Sequence, residues 1–150
     1  HKILDLLIDN SRIPFTDIAK KLLISAGTVH VRVKKMEEFG IIKGASLALD
    51  YKKLGYTFIA YIGIFLEKTH LTNYVLEKLD SIPYATVAHI TTGRFNIFCK
   101  VRCKDTDHAK EIIFMIDDIE GVSRTETMIS LEESINDKKR LMHKIFNEIK

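Results

Sequence analysis

The amino-acid sequence predicts an α+β protein in which a small helical domain precedes a domain built on a four-stranded sheet. Apolar residues recur at helical spacing over residues 1–40. From residue 55 onward, apolar runs of strand length alternate with two segments of helical periodicity. The 150 residues are 46% hydrophobic, so the chain can form one ordinary core or two small ones.

The first 44 residues contain three short helical patterns. The first covers residues 1–9. Thr16 is a candidate N-cap for a second helix over residues 17–22, and Pro14 suits the start of that segment. Ser25 is the candidate N-cap of a third helix that ends near Phe39. Two helices joined by a tight turn predict a helix-turn-helix domain, of the plain or winged type, over residues 1–44. The first helix has one apolar face, which carries Ile3, Leu4, Leu7 and Ile8.

Residues 45–54 are predicted to form a linker strand. Beyond them, strands are predicted over residues 56–66, 86–92, 96–103 and 122–131, with helices over 71–82 and from 106 to the glycine at 121. This β-α-β-β-α-β order predicts a ferredoxin-like domain over residues 55–135, with both helices on one face of the sheet. The first of these strands is apolar on both faces, so we expect a second subunit to cover the helix-free face. Residues 136–150 are predicted to form a helical tail that uses Leu141, Ile145 and Ile149.

Charge and cysteine usage restrict the class of function. Residues 1–52 hold nine Lys and Arg against six Asp and Glu, so the net charge of +3 lies in the first third and favours a polyanionic partner. No apolar run reaches the roughly 18 residues of a membrane span, and there is no signal peptide. Cys99 and Cys103 are predicted to be buried thiols on one face of a strand. These features predict a cytoplasmic protein with no membrane association.

The sequence offers little chemistry for an enzyme. We find no nucleophile with a base at useful spacing, no phosphate-binding glycine loop and no metal cluster, and the histidines after residue 69 are scattered over different elements. We therefore expect no catalytic residues, no metal and no cofactor. Two alternatives to a DNA-binding protein stay open: an enzyme on a ferredoxin-like domain, and a ligand-binding module whose helices recruit another protein.

The third helix has a face suited to DNA. If Val29 points inward, Gly27, Thr28, His30, Val31, Lys34 and Lys35 point outward. Small and polar residues there can approach base edges, Val31 can meet a thymine methyl group, and the lysines suit phosphates. Arg32 lies on the flank, where it can reach phosphate or pair with an acidic neighbour. A simple solvated helix face is the alternative for Lys34 and Lys35. The predicted DNA-binding residues are Ser25, Gly27, Thr28, His30, Val31, Arg32, Lys34 and Lys35.

Several motifs, in order and at the right spacing, resemble the Lrp/AsnC (leucine-responsive, feast/famine) family of transcriptional regulators over most of the chain. The resemblance implies a DNA-binding regulator whose sheet domains dimerise face to face, whose dimers often form octamers, and whose effectors are amino acids. The motifs are Arg12-Ile13, Ile18-Ala19, Ser25-x-x-Thr28-Val29-x-x-Arg32-Val33-Lys34-x-Met36, Gly40-Ile41-Ile42, Leu49-Asp50, Lys53-Leu54-Gly55, Thr92-Gly93-Arg94-Phe95-Asn96 and Gly121-Val122-x-Arg124-Thr125-x-Thr127.

The resemblance also implies an effector site near the turn between the second and third strands. Gly93 allows backbone N–H groups to approach a carboxylate, and Arg94 can pair with it. An ordinary hairpin turn with a solvated arginine is the alternative. Two positions depart from the family pattern: Asn96 replaces a usual Asp, which removes a charge that can attract an ammonium group, and Leu23 replaces a common Gly in the helix-turn-helix turn. The predicted effector residues are Thr91, Thr92, Gly93, Arg94 and Asn96.

Overall fold

A computed structural model of the chain describes residues 1–137 and 139–149. The chain divides into two compact units. The first, which we call the helical unit, combines His1–Ala48 with the described part of Ser134–Lys150. The second, the sheet unit, is Leu49–Glu133. The C-terminal tail therefore belongs with the N-terminal helices and not with the sheet.

The helical unit contains α1 (Lys2–Asp9), α2 (Phe15–Leu22), α3 (Ala26–Glu38) and the C-terminal α6 (Lys139–Glu148). Its apolar core contains buried side chains from each of the first three helices, because their apolar residues recur every three or four positions. The core consists of Ile3, Ile18, Ala19, Val29 and Val33. Val29 is fully buried, which confirms the inward direction from which the exposed face of α3 was worked out.

The caps of α2 and α3 are decided by different residues. Ser25 caps α3 as predicted, since its Oγ accepts a hydrogen bond of 3.0 Å from the N–H of Thr28. The prediction that Thr16 caps α2 is wrong. The helix begins one residue earlier, and Pro14 is the cap, with an extended backbone whose carbonyl accepts from the N–H groups of Asp17 and Ile18. The ring of proline holds φ near the value that this position needs, which makes a side-chain cap unnecessary.

The turn between α2 and α3 contains a left-handed residue. Leu23 has φ 55° and ψ 44°, and among the described residues it is the only non-glycine with positive φ. The N–H of Ile24 donates to the carbonyl of Ala19, and the N–H of Leu23 to that of Lys20, as in a Schellman motif. The family pattern places Gly where this conformation occurs, so the expected strain at Leu23 is present.

The predicted linker strand over residues 45–54 is wrong. No helix or strand is present between Gly40 and Thr57, and none of the described strands pairs with this segment. The segment ends in a turn instead: the carboxylate of Asp50 accepts from the N–H of Lys52, and the N–H of Tyr56 donates to the carbonyl of Tyr51. An alternating pattern alone cannot form a strand, because a strand needs a neighbour for its backbone hydrogen bonds.

The sheet unit has the predicted order β1 (Phe58–Leu66), α4 (Thr72–Asp80), β2 (Ala85–Ile90), β3 (Ile97–Cys103), α5 (Thr106–Asp117) and β4 (Val122–Ile129). A single 3₁₀ turn, Thr69–Leu71, leads into α4. The four strands pair antiparallel in the order β2-β3-β1-β4. The ferredoxin-like prediction is confirmed, with β1 and β3 in the centre of the sheet.

The core of the sheet unit lies between the sheet and its two helices. On β3, alternate residues from Ile97 to Cys103 are buried and face the apolar sides of α4 and α5. Both cysteines are buried, as predicted. Burial raises the pKa of the Cys99 thiol to about 11, and burial together with the nearby Asp105 carboxylate raises the pKa of Cys103. These thiols are therefore structural apolar groups.

The other face of the sheet carries a set of aromatic rings. Tyr61 on β1 stacks on Phe98 of β3, with ring centroids 5.8 Å apart and nearly parallel planes. The ring of Phe95 lies over Gly63 so closely that a Cβ at that position would clash with it. Glycine at position 63 thus lets an aromatic side chain cover the strand on the helix-free face.

Candidate DNA-contacting surface and effector turn

The N-terminus of α3 is stabilised by two of the predicted DNA-binding residues. The hydroxyl groups of Ser25 and Thr28 are 2.8 Å apart, in addition to the cap hydrogen bond. Gly27, between them, is exposed, and a Cβ there would meet no atom closer than the Ser25 hydroxyl at 3.9 Å. The surface at this end of the helix is therefore low and polar, and it lets another backbone approach closely.

The middle of α3 presents exposed side chains of mixed chemistry. His30, Lys34 and Lys35 are exposed, and Val31 is 52% exposed although it is apolar. The His30 ring lies 6.0 Å from the ring of Phe15 at the start of α2, which limits its orientations. Within residues 1–137 and 139–149, neither lysine makes an ion pair. Their charges are available to a polyanion.

Arg32 lies on the flank of this face, as predicted. It borders a groove with Leu22 and Met36, next to Lys35. The alternative of an ion pair within the helical unit is not realised, since no carboxylate of the described chain pairs with its guanidinium. Lys34, Lys35 and Arg32 thus form a row of cations beside the exposed face of α3.

The predicted effector turn is a tight connection between β2 and β3. The N–H of Thr91 donates to the carbonyl of Asn96, and its hydroxyl donates to the carbonyl of Phe95. Gly93 has φ +94°, a value that favours glycine. Thr92, Gly93 and Arg94 are exposed at the tip.

A pair of arginines shares one carboxylate beside this turn. Arg94 Nη2 lies 2.6 Å from Glu126 Oε1, and Arg124 Nη1 lies 3.0 Å from the same oxygen. The Arg124 guanidinium also lies over the Phe65 ring, 3.9 Å from its centroid. Two cations and one anion leave an excess of one positive charge next to the exposed backbone of Gly93.

Asn96 fastens the turn to the central strand. Its side-chain oxygen accepts a 3.0 Å hydrogen bond from the N–H of Leu66, and its own N–H donates to the carbonyl of Ile64. The oxygen of Asn96 is therefore already engaged with the end of β1. A carboxylate at this position has an oxygen that can accept the same bond.

Sequence reasoning missed Glu126. It lies on β4, where it is opposite Gly63 of β1, and only this register brings it to Arg94, 32 positions earlier in the chain. Local patterns contain no signal for such a partner. For the part of the chain that the structure describes, no group of His, Cys, Asp and Glu is arranged to hold a metal ion, and no helix is long and apolar enough to cross a membrane.

Comparison with known proteins matches both units to described families. Residues 1–43 match a winged helix-turn-helix DNA-binding family, and residues 59–139 match the Lrp/AsnC ligand binding domain. The regulatory protein AsnC of Escherichia coli K12 is 39% identical over 134 residues, which cover 89% of this chain and 88% of that protein. The AsnC protein of Haemophilus influenzae is 38% identical over 135 residues, covering 89% of this chain and 90% of its own length.

Solved structures give the same result. The structure of E. coli AsnC superposes with a TM-score of 0.89 at 37% sequence identity, covering 91% of this chain and 93% of that one. A feast or famine regulatory protein from M. tuberculosis, complexed with L-methionine, superposes with a TM-score of 0.83 at 19% identity, covering 91% of this chain and 92% of that one. The second likeness shows the shared fold alone.

Proposed function

Since the chain belongs to the Lrp/AsnC family of DNA-binding transcriptional regulators, we propose that it binds an operator through α3 and that an amino acid bound at the sheet unit modulates this binding. Residues 1–44 are the DNA-binding region, and residues 55–135 bind the effector and form the oligomer. As a regulator of transcription, the protein acts on the genome in the cytoplasm. It binds and does not catalyse, in line with its regulatory relatives.

The observation that carries the proposal is the exposed face of α3. A row of cations, Arg32, Lys34 and Lys35, borders a face on which an apolar Val31 is exposed to solvent without a packing role. In the proposed complex the cations contact phosphates. The residues that meet base edges in the major groove are Gly27, Thr28, His30 and Val31, and Ser25 keeps the start of the helix in place.

The test is a titration of operator DNA at several salt concentrations. Duplexes selected from a random pool by the wild-type protein serve as operator, and affinity is measured by fluorescence anisotropy. Lys34→Ala together with Lys35→Ala should weaken binding to all duplexes and lower the salt slope by about two, about one per phosphate contact. The matched control, Lys78→Ala with Lys110→Ala, removes two cations from α4 and α5 and should leave the slope unchanged. An unchanged slope in the α3 variant would refute the assignment.

For the effector, the excess positive charge beside Gly93 favours a carboxylate. We propose that the carboxylate of an amino acid binds the backbone N–H groups of the turn between Thr91 and Asn96, next to the Arg94 side chain. The M. tuberculosis relative in fold is complexed with L-methionine, so that amino acid is a natural first probe. A thermal-shift screen of the twenty amino acids should give a hit that Arg94→Gln weakens. A ligand at 100 times its Kd adds about 2.7 kcal/mol of stability.

The oligomer in this proposal is a homodimer that associates through the helix-free faces of two sheets, with an octamer as the larger assembly. The stacked rings of Tyr61 and Phe98, together with the half-exposed Met128, give this face the aromatic and apolar character of an interface core. Light scattering coupled to size exclusion measures the mass. Tyr61→Glu should yield monomers, because it would place two unpaired carboxylates between the sheets.

A further inference from the structure

The C-terminal helix α6 packs on the first helix of the chain, within the helical unit. Phe146 is its anchor and is 9% exposed, with the ring of His1 6.4 Å away. One turn earlier, Met142 borders the same groove as Leu4 and Ile8 of α1. The apolar residues of α1 therefore cover two directions, one toward the core with α2 and α3 and one toward α6.

Polar contacts hold α6 in register along α1. His143 Nδ1 lies 2.9 Å from an oxygen of Asp5, and His143 Nε2 lies 3.6 Å from an oxygen of Asp9. Lys139 Nζ reaches the backbone carbonyl of Asp9 at 3.2 Å and its carboxylate at 3.7 Å. A cation at the C-terminal end of α1 also interacts favourably with the helix dipole.

The family resemblance does not account for this helix. The matched regions cover residues 1–43 and 59–139, so α6 begins where the second match ends. Its contacts with α1 are all to residues outside the exposed face of α3. A role in reading DNA directly is thus excluded for α6, and its effect on the DNA-binding region must pass through α1.

We propose that α6 is a clasp that holds α1 in place beneath the DNA-reading helix, and that protonation of His143 tightens the clasp. An isolated helix of eight residues is unstable in water, so α1 depends on its neighbours. Ile3 of α1 packs in the same core as Val29 and Val33 of α3, which transmits a loss of α1 to the reading helix. The consequence for operator affinity rests on the proposed function, whereas the clasp itself does not.

The role of the proton follows from the donor count of imidazole. Neutral imidazole carries one N–H and can donate to one of the two carboxylates, while imidazolium donates to both. Histidine changes charge between about pH 5 and 8. The titratable groups that face it are Asp5 and Asp9 from α1 and Lys139 from α6, and the His1 ring lies against Phe146. We expect the clasp to be tighter at pH 6 than at pH 8.

The experiment compares Phe146→Ala with Leu141→Ala in the full-length chain. Leu141 is on the same helix but is 66% exposed, so its loss leaves the contact intact. Hydrogen exchange should be at least about tenfold faster in α1 of the Phe146 variant, with operator affinity several-fold weaker, and both should be unchanged in the Leu141 variant. Unchanged exchange in α1 of the Phe146 variant would overturn the proposal.

The proton dependence is read from His143→Gln, a milder variant that also serves if Phe146→Ala fails to fold. After correction for intrinsic exchange, wild-type protection of α1 should decrease from pH 6 to pH 8 relative to this variant. Equal pH profiles would refute the role of the proton, because His1 and His30 titrate in both proteins. If the wild type binds no operator at all, the proposed function fails, while the exchange comparison still decides whether α6 is a clasp.

Discussion

Leu23→Gly is expected to stabilise the helical unit. Leu23 is in the left-handed region, which costs an L-residue about 1–2 kcal/mol, whereas glycine adopts it freely. The side chain is 92% exposed, so its removal forfeits almost no buried area. Glycine loses about 0.5–1 kcal/mol more backbone entropy on folding than other residues. The difference leaves a net gain of about 0.5–1 kcal/mol in the free energy of unfolding.

Urea unfolding of the full-length chain, followed by helical circular dichroism, measures the sum of both units. Hydrogen exchange of α2 and α3 should therefore accompany it, because it reports on the helical unit alone. Protection of amides in these two helices should increase by about two- to fivefold, the equivalent of the predicted gain.

Leu23→Ala is the matched control for this substitution. It removes the exposed side chain but keeps the Cβ that causes the strain, so its stability should stay within about 0.5 kcal/mol of the wild type. If the glycine and alanine variants were equally stable, backbone strain at position 23 would not be the cause. If the glycine variant were less stable than the wild type, the reasoning would be refuted.

Three further substitutions or reactions test single contacts. Ser25→Ala removes the cap of α3 and should cost about 0.5–2 kcal/mol, measured by the same exchange assay, with the exposed Ser11→Ala as control. Gly63→Ala forces a Cβ against the Phe95 ring and should cost about 1–3 kcal/mol in thermal unfolding; an unchanged Tm would contradict that close approach. Because burial raises its pKa to about 11, Cys99 should stay protonated and resist iodoacetamide at pH 8 in the native protein, yet react after unfolding. Asn96→Asp keeps an acceptor for the Leu66 N–H and adds a negative charge, so it should fold normally and change the pattern of amino-acid hits in the thermal-shift screen.

Features that depend on near neighbours in the chain were predictable. The alternation along β3, the caps at Ser25 and Asp105, and the left-handed turn at Leu23 each involve residues within a few positions of one another. Periodicity reflects which face of an element is buried, and a cap needs only the next turn of helix, so both are written in local sequence. The outward direction of the α3 residues followed in the same way from the position of Val29.

Features that depend on distant partners required the tertiary structure. The linker has an alternating pattern but no neighbouring strand, so it is not a strand. Glu126 meets Arg94 only through the register of β4 on β1, and Asn96 reaches Leu66 only across the sheet. The tail that periodicity marked as helical packs on α1, at the opposite end of the chain. The sequence by itself determined which residues are apolar, capped or free to turn, and folding decided which of them meet, because contacts between residues far apart in the chain arise from the packing of whole elements.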